Sequence, residues 1–141
     1  MLGENTSMRL ETAGNPADSG QQFAARVLVV DDEWLVRWAV SETLRARGFD
    51  VVEAADAQSA LEALGSGCDL VLLDMPDAQN LGVLSRIRAA APALPVIIMS
   101  AFMTPEIAQQ ATALGSGIVS KPFDLTGLAA AVERALNGRV Y

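Results

Sequence analysis

The sequence predicts an α/β domain built on a doubly wound, five-stranded parallel sheet. Three observations carry that expectation. Short runs nearly continuous in Val, Ile and Leu read as strands buried on both faces. A stretch of helical period follows each run. Five such units succeed one another between residues 26 and 137, the alternation that sets a parallel sheet between two layers of helices.

The first run, Arg26–Val30, leads into a helix over Trp34–Arg47, where Val36, Ala39, Val40 and Leu44 share one face and Arg37, Ser41 and Arg45 another. The second strand is Val51–Ala54, and the helix Ala57–Leu64 closes on "ALGSG". "LVLL" marks the third strand, Asp69–Leu73, with its helix over Leu81–Ala90. "VIIM" marks the fourth, Pro95–Met99, with its helix over Pro105–Leu114 and a second "ALGSG". The fifth strand, Gly117–Ser120, precedes the last helix, Leu125–Asn137. Phosphate-binding glycine loops follow a strand and open a helix, whereas both "ALGSG" copies close a helix and precede a strand. Gly65 and Gly115 are therefore expected to be C-caps with a left-handed backbone.

The chain has 141 residues, enough for one domain with a proper core. It is 51% apolar and only 5% aromatic, so that core is aliphatic. A net charge of −7 argues against a nucleic-acid surface, which needs clustered Lys and Arg. No apolar run reaches the roughly 18 residues that span a membrane, and the N-terminus lacks the pattern of a signal peptide. The one cysteine, Cys68, cannot form an internal disulfide; a reducing, cytoplasmic setting is the natural reading. There is no histidine, which excludes His triads, His metal sites and a phospho-accepting His within the chain. Residues 1–24, rich in Gly, Asn, Ser, Thr and Gln, read as a disordered extension, residues 25–138 as the domain and residues 139–141 as a tail.

In an open parallel sheet ligands bind beyond the carboxyl ends of the strands, where the strand order reverses. The first strand ends at Asp31 and Asp32, the third at Asp74, the fourth at Ser100 and the fifth at Lys121, the single lysine of the chain. Each alone is commonplace: an acid or hydroxyl there is usually a helix N-cap, and a loop lysine is usually solvated. Together, at one edge of one sheet, they exceed what capping needs. Three carboxylates without histidine or thiolate make a hard oxygen site suited to Mg²⁺ or Mn²⁺ rather than zinc. Such a cation beside a lysine and a hydroxyl suits a phosphoryl group, and one carboxylate can serve as the nucleophile. Asp74 is the best candidate because it stands singly on a middle strand, while Asp31 and Asp32 form a pair fit for the cation.

With these residues in view, the chain resembles a response-regulator receiver domain. The resemblance rests on the acid pair in "VLVVDDE", the acid in "LVLLD", "SA" after the fourth strand and "KPF" after the fifth. The stretch "VLVVDDEWLVRWAVSETLRARGFDVVEAADAQSALEAL" is especially similar to receivers of the nitrogen-regulator type. The resemblance implies a flavodoxin-like (βα)5 fold with strand order 2-1-3-4-5. It implies that Asp32 ligates Mg²⁺ directly, that Asp31 acts mainly through water, and that Asp74 accepts the phosphoryl group. Ser100 and Lys121 would contact phosphate, and Lys121–Pro122 would carry the family's cis peptide. The donor would be a histidine kinase or phosphotransfer protein. Ile107, Ala111, Ile118, Leu128, Ala129 and Val132 lie on helix four, strand five and helix five, the face that serves a homodimer or a target protein in the family; some of them must be core, so only a fraction would be interface.

Three departures from the family pattern stand out. "DMP" is contiguous, where the family usually has two residues between acceptor and "MP"; Pro76 thus falls where a backbone carbonyl would reach the metal. Ile118 replaces the usual Tyr or Phe of the switch, so the readout must differ or be muted. Asn80 stands where Gly is usual before the third helix, a mild change since Asn tolerates a left-handed backbone. In addition, the places two residues beyond the acceptor and two beyond the Ser hold Pro76 and Phe102, neither able to orient a hydrolytic water by a side-chain hydrogen bond. Trp34 and Trp38, one helical turn apart, are expected to pack around the first helix, with a partner-binding pair as the alternative.

The expected function is a stand-alone phospho-receiver, not an enzyme beyond accepting its own phosphoryl group and slowly losing it; only "GRVY" follows the last helix. The alternative is a pseudo-receiver, an interaction module that works without phosphorylation. An aspartate phosphatase of the haloacid-dehalogenase class would need a D-x-D pair after one strand, which neither "DDE" nor "DMPD" supplies.

Overall fold

The computed structural model describes residues 24–74, 77–100, 104–113, 115, 117–120 and 124–137. Five strands and five helices alternate: β1 (Arg26–Asp31), α1 (Trp34–Ala46), β2 (Asp50–Ala54), α2 (Ala57–Leu64), β3 (Leu70–Asp74), α3 (Asp77–Ala90), β4 (Val96–Ser100), α4 (Pro105–Ala113), β5 (Gly117–Ser120) and α5 (Leu125–Asn137). All strand pairings are parallel, in the order β2-β1-β3-β4-β5, as the resemblance implied. The order reverses between β1 and β3, so their carboxyl ends flank the switch point.

The strands alternate between two apolar cores. Val27 and Val29 of β1, Leu70 and Leu72 of β3, and Ile97 and Met99 of β4 pack with Val40 and Leu44 of α1 and with Leu128, Ala129 and Val132 of α5. Leu28, Val30, Val71, Leu73, Val96 and Ile98 pack on the other face with α2, α3 and α4. Double-sided burial explains why the runs show no polar alternation. Ala111, Leu128, Ala129 and Val132 are thereby committed to the core. They are the part of that face that the core claims, as expected of some of its residues. Ile107 is half-buried, and the side chain of Ile118 lies outside what is described.

Some expectations are corrected. Helix α3 starts at Asp77, four residues before Leu81, because the polar turn Asp77–Asn80 carries no apolar period from which to read it. Gly65 stays right-handed at φ −62°; the left-handed residue after α2 is Gly67, at φ +88°. In the second "ALGSG" the left-handed glycine is the first one, Gly115, at φ +79°. The two copies thus reach their strands by different turns. Residues 1–23 and 138–141 lie outside the described residues.

Ser41 is also misplaced by the helical wheel. It is fully buried beside Val40 and Leu44, and its hydroxyl finds no hydrogen-bond partner among the described residues. A buried unsatisfied hydroxyl is destabilising, and Ala is the better helix former. Ser41→Ala is therefore expected to raise stability by about 1 kcal/mol. Urea unfolding should show a higher midpoint at unchanged slope; a lower midpoint would mean that the hydroxyl is bonded after all.

Candidate functional site: the carboxyl edge of the sheet

Asp31 and Asp74 do not follow their strands but close them, and they are Cα partners in the β1–β3 ladder. Adjacent strands lie about 4.8 Å apart, so the two backbones hold these carboxylates side by side. Strand alternation continues the rows of Val27–Val29 and Leu70–Leu72 into them, on the α1/α5 side. Both are buried, at 2% and 6% exposure. Asp32, in the two-residue link to α1, is exposed. The edge therefore combines two buried carboxylates with one that meets solvent.

The link itself is tightly organised. Asp31 Oδ1 accepts from the Glu33 backbone N–H at 2.9 Å, and the Arg37 N–H reaches the Glu33 carbonyl at 3.0 Å in the first helical turn. The Arg37 guanidinium donates to the Asp31 carbonyl at 2.7 Å and, through Nε, to Glu53 Oε1 of β2 at 3.1 Å. Glu33, although it holds the N-cap position, makes no side-chain cap bond. Nothing in the sequence pattern singles out Arg37, whose spacing reads as an ordinary solvated position.

Ser100 closes β4, in register with Ser120 at the end of β5. The backbone thus sets Ser100 at the same edge as the acids, and the side chain is not described. Lys121, Pro122, Pro76 and Phe102 lie outside the described residues, including the expected cis peptide. Trp34 and Trp38 do not pack around α1. They are 68% and 53% exposed and, with Leu35, form an apolar surface on α1 next to the acid pair.

The donor chemistry fits a hard divalent cation: Asp31 and Asp74 set carboxylates on neighbouring strand ends, and no histidine exists to favour zinc. Among the described residues no group of three or more His, Cys, Asp or Glu side chains is placed to hold a metal ion. That is compatible with Mg²⁺, which keeps several waters and takes one or two carboxylates plus phosphate oxygens. Among the described residues no helix is long and apolar enough to cross a membrane.

The comparisons with known proteins agree with the fold. The sequence profile of the response regulator receiver domain matches residues 27–133. The chain is 37% identical to the glycerol metabolism activator of Pseudomonas putida over 123 residues, 82% of this chain and 56% of that protein. It is 38% identical to the DNA-binding transcriptional regulator NtrC of Rhizobium meliloti over 116 residues, 79% of this chain and 24% of that protein. The chain thus spans about half of the first relative and a quarter of the second. Among solved structures, the Vibrio cholerae chemotaxis protein CheY4 superposes with a TM-score of 0.74 at 31% identity, covering 81% of this chain and all of that one. The receiver domain of NtrX from Brucella abortus gives 0.72 at 36% identity, covering 79% and 98%.

Proposed function

The chain belongs to the response regulator receiver domain family, and on that premise we propose that it is a phospho-accepting switch whose acceptor is Asp74. A receiver domain is a signalling module, and what this one adds is the transfer to itself. The observation that supports the reading is the register of Asp31 with Asp74 at the carboxyl edge, both buried, with Asp32 exposed beside them.

The chain's part in the transfer follows from its charges. A carboxylate oxygen of Asp74 forms a bond to phosphorus as the donor's phosphorus–nitrogen bond breaks, and the electron pair leaves with the donor imidazole. The donor is a histidine kinase or phosphotransfer protein, since this chain has no histidine. Asp31 and Asp32 would hold Mg²⁺ or Mn²⁺, with Asp74 and the Pro76 carbonyl completing the protein's share. Bound there, the ion would neutralise phosphoryl oxygens that the acids would otherwise repel. Ser100 and Lys121 would hold the remaining oxygens. The apolar surface of Trp34, Leu35 and Trp38 beside the site is where a donor protein would bury area. DNA binding, which the NtrC relative's name states for that protein, is no part of this reading.

The test is intact mass after incubation with a small acyl phosphate. The expected result is the gain of one phosphoryl group with Mg²⁺, none with a chelator, and a sharp loss in Asp32→Asn. Equal labelling with and without the ion would contradict the site.

A further inference from the structure

The Arg37 guanidinium is a cation placed beside a proposed cation site. By Coulomb's law alone it should repel a divalent ion and weaken the site. Its bonds suggest another role. One guanidinium nitrogen donates to the Asp31 backbone carbonyl at 2.7 Å, and Nε is held by Glu53 at 3.1 Å. The Arg37 and Glu53 side chains are only 19% and 29% exposed, so solvent screens the pair incompletely. Glu53 also accepts from Arg45 at 3.4 Å. The Arg37 charge is thus offset in part by the carboxylate of β2, which it shares with Arg45, while another of its donors is spent on the main chain of the acid pair.

The placement matters because of what leaves that carbonyl. Beyond Asp31 the chain departs from the ladder and runs two residues to α1. Those two residues are Asp32 and Glu33, which belong to neither the strand nor the helix. Arg37 sits in α1 and Glu53 in β2, so the guanidinium ties the start of α1 both to the neighbouring strand and to the carbonyl at the end of β1. A carboxylate held on a short, doubly anchored link keeps its orientation without a ligand and loses less entropy when one binds.

We infer that Arg37 is a positioning residue for the carboxylate site: bonded to the Asp31 carbonyl and paired with Glu53, it fixes the β1–α1 link so that Asp31 and Asp32 are presented to the cation. The inference rests on the phospho-receiver reading and adds a residue to it. It also predicts a sign opposite to that of simple electrostatics. Loss of a nearby positive charge should tighten divalent-cation binding, whereas loss of a positioning bond should weaken it.

The experiment is a calorimetric Mg²⁺ titration, without phosphodonor, of the full chain and its Arg37→Ala, Arg37→Lys, Glu53→Gln and Asp32→Asn variants. Unfolding curves for each confirm that the titrated protein is folded. Removing a group that orients metal ligands typically costs about tenfold in metal affinity or more. Arg37→Ala is expected to show a loss of that order, and Arg37→Lys, which keeps one donor and the charge, to recover most of it. Glu53→Gln frees the positive charge yet keeps an acceptor, and should fall between wild type and Arg37→Ala. Should Arg37→Ala fail to fold, the ordering of wild type, Arg37→Lys and Glu53→Gln still decides. Affinity unchanged or tightened in Arg37→Ala, with wild type binding and Asp32→Asn not, would overturn the positioning role alone. Wild type that binds no Mg²⁺ would overturn the phospho-receiver reading and this inference together.

Discussion

Replacing Asp74 by Asn is expected to make the metal-free protein more stable while removing its capacity to accept a phosphoryl group. Asp31 and Asp74 are buried neighbours in the β1–β3 register. Like charges separated by about the 4.8 Å between adjacent strands would repel by roughly 3 kcal/mol at an effective dielectric constant near 20. Part of that cost is relieved by solvent at the edge and by the Glu33 N–H that Asp31 accepts. A gain of about 2 kcal/mol in chelator is therefore expected for Asp74→Asn, read by denaturant unfolding. Mg²⁺ should reverse the order, because an ion that binds only the native wild type stabilises it by mass action. Asp74→Asn should gain little. A destabilised Asp74→Asn in chelator would show that the acid pair is not the strained element described.

A long-lived phosphoryl group is the second large effect expected. Hydrolysis of an aspartyl phosphate needs a water held in line with phosphorus. The positions two beyond the acceptor and two beyond Ser100 are Pro76 and Phe102, and neither side chain can orient that water. Loss of one positioning group plausibly slows the step by about tenfold to a hundredfold, or ~1.4–2.7 kcal/mol of barrier. The wild type should thus keep its label for minutes to hours even at saturating Mg²⁺, and Phe102→Glu or Phe102→Asn should shorten that lifetime. Saturating the ion matters: weak metal binding through the shortened Asp74–Pro76 segment would also slow the reaction, but would be rescued. A wild-type lifetime of seconds would refute the reading of Pro76 and Phe102.

Much of this fold is legible because its strands are buried on both faces. Continuous runs such as Val27–Val30 and Leu70–Leu73 can hardly be anything else at that length, and they locate the strands. Their ends are less legible. Hydrogen bonding carries β1 and β3 one residue further, into Asp31 and Asp74, because the ladder does not stop where hydrophobicity does. That extra residue is what turns two acids near strand ends into a registered pair. Local conformation is harder still: the identical pentapeptides "ALGSG" place their left-handed glycine differently, since the following strand, not the peptide, sets the turn. Ser41 and the tryptophans fail for a shared reason. A wheel gives the period of α1 but not the width of the face the sheet covers, so Ser41 is drawn in while Trp34 and Trp38 stay out. Arg37 was beyond any pattern, because its partners come from the main chain of β1 and from a residue on another strand.

The most direct test of the acceptor is to trap it where it forms. An acyl phosphate, unlike a carboxylate, is reduced by borohydride to an alcohol, so the modified residue can be found by peptide mass spectrometry. After incubation with a small phosphodonor and Mg²⁺, reduction is expected at Asp74 alone, and nowhere when the ion is chelated. Reduction at Asp31 or Asp32 instead, or no reduced residue in protein shown to be folded, would contradict the assignment of Asp74 as the phosphoryl acceptor.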